Sequence, residues 1–123
     1  MLFDQGDDFG YLVYEGANDV VGACGLHRRA AGVAEIGYWV RTDRHRRGYA
    51  TSAATALTYA GFAHLHDITE LHITMDKANI ASSGVPAKLG YRLHGEEDRE
   101  ILTPGHTGHE LRWVMTRAEW ESR

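Results

Sequence analysis

A chain of 123 residues with 13 Lys and Arg against 17 Asp and Glu, a formal charge of -4, reads as one domain long enough for a single core. That balance excludes a general affinity for nucleic acid. A lone cysteine, Cys24, excludes an intramolecular disulfide, and without a long apolar run or an export-type leader the expected setting is cytoplasmic, reducing and away from the membrane.

In chain order, residues 11–15 alternate as a strand, Gly16, Ala17, Asn18 and Asp19 form a turn that tolerates positive φ, and residues 20–26 are the return strand of a hairpin. A loop at 28–32 leads to a third strand, 33–40. A basic turn, 41–47, follows, and from Tyr49 the period changes. Ala50, Ala53, Ala54, Leu57, Ala60, Gly61 and Leu65 recur at three- and four-residue steps, which is a helix with one buried face of small residues. Residues 71–75 alternate again and, following a helix, are expected parallel to the strand before it. Residues 78–89 form a poor helix, because Gly84 and Pro86 force it to be short or to start late. Two last strands, 91–97 and 110–116, flank a loop at 103–108.

The turn ahead of the long helix carries its own chemistry. Gly48 lets the backbone approach a ligand, Ala50 keeps the first helical turn small, and the N–H groups at a helix start attract a phosphate. Arg44, Arg46 and Arg47 add full charges beside it. Read alone, the same string is equally a turn with a solvated basic face.

Four segments together resemble the GNAT superfamily of acyl-CoA N-acyltransferases. His45 to Ala50 is similar to the family's phosphate motif, with His in place of its leading Gln or Arg. Asn79 to Tyr91, with Asn-x-x-Ser and then Lys-Leu-Gly-Tyr, is similar to its second motif. Ala34-Glu35-Ile36-Gly37-Tyr38-Trp39-Val40 and the ending Met115 to Trp120 resemble the RimJ/RimL branch, the ribosomal-protein N-terminal acetyltransferase type. The resemblance implies an α/β (α+β) fold: a mixed, mostly antiparallel sheet with one central parallel βαβ pair, splayed to hold acetyl-CoA, and helices on both faces. Because the family's first strand and two helices precede the hairpin, a single N-terminally abbreviated domain is expected, with an open acceptor site and self-association as a homodimer.

Residue by residue, the resemblance implies pantetheine pairing with the backbone of Trp39, Val40 and Arg41, and the pyrophosphate held by amides of Arg46, Arg47, Gly48, Tyr49 and Ala50 with Thr51 close by. Asn79 would bond the pantetheine arm, or else cap the helix behind it. Acetyl transfer to a primary amine, a protein N-terminal α-amine or a small molecule, needs a base to deprotonate the ammonium. Glu35 takes that part; its other reading is a solvent-facing Glu paired with a neighbour. For the acid that reprotonates the thiolate, Pro86 stands where many relatives have Tyr, leaving Ser82, which also reads as a helix-start residue. No metal is expected: His64 and His66, or His106 and His109, lack further ligands at suitable spacing. Two other function classes stay open, an acyl-CoA-binding protein without efficient turnover and an unrelated nucleotide binder.

Overall fold

The computed structural model describes residues 8–44, 48–79, 84–98 and 107–123. The chain begins as an antiparallel meander of β1 (Asp8–Glu15), β2 (Asp19–Ala30) and β3 (Val33–Val40). Its turns rest on Gly16 and Gly32, at φ of 70° and 78°, a left-handed conformation that glycine adopts without steric cost. β1 and β2 are longer than the sequence reading, and β3 matches it. Irregularities between Val13 and Tyr14 and between Arg28 and Ala30 absorb the extra residues and keep each face in register.

A 3-10 turn, Thr42–Arg44, leads to α1 (Tyr49–His64), and β4 (Glu70–Asp76) then returns parallel to β3, completing the expected βαβ unit. α2 (Val85–Leu89) starts late, as Gly84 and Pro86 require, with Pro86 in its first turn, where no N–H partner is lost. β5 (Arg92–Asp98), β6 (His109–Thr116) and the short α3 (Arg117–Glu121) complete a six-stranded sheet ordered β1-β2-β3-β4-β6-β5, antiparallel except for β3 and β4.

Ala53, Ala54, Leu57, Thr58, Gly61 and Phe62 are the buried face of α1. A side chain at Gly61 would come within 3.2 Å of both Leu71 methyls, so the glycine sets how closely helix and sheet approach. Val85 of α2 joins the same core, and Trp120 of α3 stacks on Phe62 with ring centroids 5.3 Å apart. Among the described residues all three helices thus pack on one face, which corrects the expectation of helices on both. On the opposite face, the positions nearest the β3–β4 seam, Glu35, His72, Thr74 and Arg112, are polar.

The C-terminus locks this arrangement. Arg117 donates its backbone N–H to Thr69 O, and its guanidinium reaches Phe62 O (2.6 Å), Leu65 O (3.0 Å) and Ile68 O (2.8 Å), closing the carbonyl end of α1. Thr116 and Glu119 form a capping box on α3, and Arg92 pairs with Glu119 from β5.

The Arg92 hydrogen bond, reinforced by the Thr116 backbone, pulls the Glu119 carboxyl from 4.5 down to about 2. A carboxylate depressed on folding stabilises above its unfolded value and loses that contribution as pH falls through the folded one. Wild type is therefore expected to be more stable than Glu119→Gln at neutral pH. In denaturant titrations the difference should close as pH falls from about 4.5 to about 2; a gap that does not narrow with acid would refute the assignment.

Candidate active site where two parallel strands part

The ladder between β3 and β4 runs through four pairs, from Val33 with Glu70 to Ile36 with Ile73, while β3 continues to Val40 and β4 to Asp76. Past Ile36 the two strands diverge, and a gap opens in the sheet. Alternation along β3 sends Ala34 and Ile36 into the core and Glu35 to the opposite face, with 21% of its side chain exposed.

Glu35 lies between His27 on β2 and His72 on β4. Thr74 Oγ donates to its Oε2 at 2.6 Å, and Arg29 Nε reaches Oε1 at 3.3 Å. His72 is fixed as well. An arginine can only donate, so the 2.9 Å bond from Arg112 makes His72 Nδ1 an acceptor, and its proton sits on Nε2, 2.8 Å from Glu70 Oε1. Arg112 is itself held by Glu97. A carboxylate, hydrogen-bonded and partly open to solvent at the apex of a gap, can accept a proton from a group entering there.

One lip of the gap is the start of α1. Gly48 precedes it at φ 83°, no side chain caps the helix, and its first turn contains no acid. Its leading N–H groups and dipole therefore favour an anion. Among the expected anion-holding residues, Gly48, Tyr49, Ala50 and Thr51 come together here, whereas Arg46 and Arg47 lie outside the described residues. Arg44 does not act as expected. Its guanidinium pairs with Glu15 (2.7 Å) and Asp43 (3.0 Å), and Arg41 pairs with Asp19 and Asp43, both at 3.0 Å. Tyr49 Oη donates to the other Glu15 oxygen at 2.6 Å, so the hairpin end grips the loop through carboxylates. The Arg41 bond holds the Asp43 carboxyl below its ordinary range.

Backbone direction corrects a second expectation. Arg41 donates its N–H to Val21 O (2.7 Å) and accepts from Arg44 N (2.9 Å), so both its backbone groups serve the chain itself. By strand alternation Trp39 likewise addresses β2, and of the three residues expected to line the gap by backbone, Val40 alone points toward it. The Trp39 ring stands 58% exposed on the face opposite the helices.

The second lip is the end of β4. Buried Asp76 accepts from Ala78 N (2.8 Å) and, with both oxygens, from Thr107 N (3.1 Å each), joining two segments there. Asn79 follows, exposed, its N–H donated to Asp76 O at 2.9 Å. Ser82 lies outside the described residues. Among those described, no group of three His, Cys, Asp or Glu could hold a metal, and no helix is long and apolar enough to cross a membrane. Sequence reasoning missed Thr74, Asp76 and Glu15. For Thr74 a signal existed, since it falls on the same alternate face as the position opposite Glu35.

The profile of the acetyltransferase (GNAT) domain family matches residues 1–92. YdaF of Bacillus subtilis, which carries a ribosomal N-acetyltransferase name, is 26% identical over 112 residues, covering 89% of this chain and 60% of its own. Mycobacterium smegmatis RimJ, solved in complex with CoA-disulfide, is 26% identical with a TM-score of 0.75, covering 93% of this chain and 55% of its own. A crystal structure with an acetyltransferase name superposes at TM-score 0.82 with 23% identity, covering 93% of this chain and 65% of that one, which speaks for the fold. The chain thus spans about 60% of the curated relative it matches.

At Gly48 nothing among the described residues lies within 4 Å of where a Cβ would stand, and the left-handed backbone, φ 83°, resists substitution. Gly48→Ala is expected to cost about 1–2 kcal/mol in a denaturant titration; a neutral result would mean the loop relaxes out of the left-handed conformation.

Proposed function

The chain belongs to the acetyltransferase (GNAT) domain family, and from that premise we propose that it transfers an acetyl group from acetyl-CoA to a primary amine. The observation that carries the proposal is the gap itself: the β3–β4 ladder ends at Ile36 and Ile73, with a carboxylate at the apex and an acid-free helix start at one lip. Acetyl-CoA enters as co-substrate. Its pyrophosphate lies against Gly48, Tyr49, Ala50 and Thr51, its pantetheine arm runs along β3 at Val40, and Asn79 bonds that arm from the other lip. Relatives solved with CoA support this reading.

Glu35 acts as general base. It takes a proton from the incoming ammonium, and the amine nitrogen then attacks the thioester carbonyl carbon. The C–S bond breaks as the carbonyl re-forms, the nitrogen sheds its second proton to solvent, and the departing thiolate is protonated by Ser82 or by solvent. The acceptor is a protein N-terminal α-amine or a small-molecule amine, and the setting is cytoplasmic. The chain also associates as a homodimer in this reading, which the exposed Tyr11, Leu12 and Tyr14 on edge strand β1 support.

Titration calorimetry with acetyl-CoA, CoA, ATP and NAD, followed by thiol release across an amine panel, tests the function. Selective acetyl-CoA binding with thiol release is expected; binding without release on any amine would leave an acyl-CoA-binding protein. Glu35→Gln should keep acetyl-CoA affinity and lower kcat about tenfold or more, and unchanged turnover would remove Glu35 from the chemistry. A monomeric mass at high concentration would overturn the dimer.

A further inference from the structure

We propose that Thr74 is a positioning residue for Glu35: its hydroxyl crosses the seam where β3 and β4 part, fixes one carboxylate oxygen and keeps the carboxylate aimed into the gap. The inference rests on the reading of Glu35 as base and adds the group that orients it.

Register makes the contact informative. Glu35 stands opposite His72, yet its short bond goes to Thr74, two residues further along β4 and beyond the last strand pair at Ile73. The side chain is therefore drawn toward the open end of the seam and away from its direct neighbour. Thr74 is β-branched and sits in a strand that β6 pairs along its full length, so its hydroxyl has little freedom. That hydroxyl has one proton, and it is given to Oε2 at 2.6 Å, in the range of a charge-assisted bond. Among the described residues Oε1 is held by Arg29 alone, at 3.3 Å, by a side chain 55% exposed, a pairing that solvent weakens. Oε2 is thereby anchored, and Oε1 is the oxygen positioned to receive the proton.

The charged and titratable groups facing Glu35 come from three strands. β2 brings His27 and Arg29, β4 brings His72, and β6 brings Arg112, whose charge senses that of Glu35. Replacing Arg29 or Arg112 changes the local charge, whereas Thr74 is neutral. Thr74→Val removes one donor and keeps shape and charge.

The test is the pH dependence of kcat at saturating acetyl-CoA and amine, for wild type, Thr74→Val and Thr74→Ser, beside NMR titration of the 13C-labelled Glu35 carboxyl. A bond donated to the charged carboxylate favours that form, so its loss raises the pH at which Glu35 ionises. Thr74→Val should move the acidic limb of kcat and the NMR titration upward. KM for acetyl-CoA should stay within about twofold and plateau kcat should fall several-fold, with Thr74→Ser restoring both limb and rate. If Glu35→Gln lowers kcat while Thr74→Val leaves limb and titration unmoved, the positioning role is overturned and the base stands. If Glu35→Gln turns over normally, the base reading falls and takes the positioning role with it.

Discussion

Two parallel strands that pair for four residues and then separate set the terms for everything else in this molecule. A sheet closes its backbone hydrogen bonds between neighbours, and a gap within it is tolerable where both sides are held rigidly by other strands. Here they are. β2 pairs with β3 from Ala30 to Gly22, and β6 pairs with every residue of β4. The split therefore lies between two stiff half-sheets, with α1 and Ile68, Leu71 and Ile73 packed beneath it.

The electrostatics follow from that geometry. The chain is acidic overall, and its run of arginines looks at first like a ready polyanion site. Arg41 and Arg44, however, are matched by Asp19, Asp43 and Glu15. These pairs tie the tip of the first hairpin to the loop before α1 and hold the helix start against the gap. What remains for an anion is the set of backbone donors of the first helical turn, which carry partial positive charge and lose no side-chain entropy on binding.

Much of the architecture was legible from residue order. The period change at Tyr49 marked α1, the alternation at 71–75 marked β4, and Gly84 with Pro86 marked the late start of α2, because each is a local signal with a local cause. The apex carboxylate was legible too, since alternation alone assigns Glu35 to the face opposite Ala34 and Ile36. The side on which Trp39 and Arg41 direct their backbone was not. That depends on which strand pairs with β3 and in what register, information spread over residues twenty apart. The partners of Arg44 were hidden for the same reason: Glu15 is 29 residues away and meets it only once the hairpin is formed. The polar lining of the seam was legible in the alternation that sets Glu35, His72, Thr74 and Arg112 on one face.

The guanidinium of Arg117 gives the chain a direction in time. It closes the carbonyl end of a helix whose last turn was made about 50 residues earlier, at Phe62 and Leu65. During synthesis α1 and the first three strands leave the ribosome well before this residue exists, so the helix end must wait, its carbonyls solvated, until the last segment emerges. Maturation of the half-sheet that forms first is thus governed by the segment made last, and a chain cut short before Arg117 would keep its hairpins while leaving that helix end frayed.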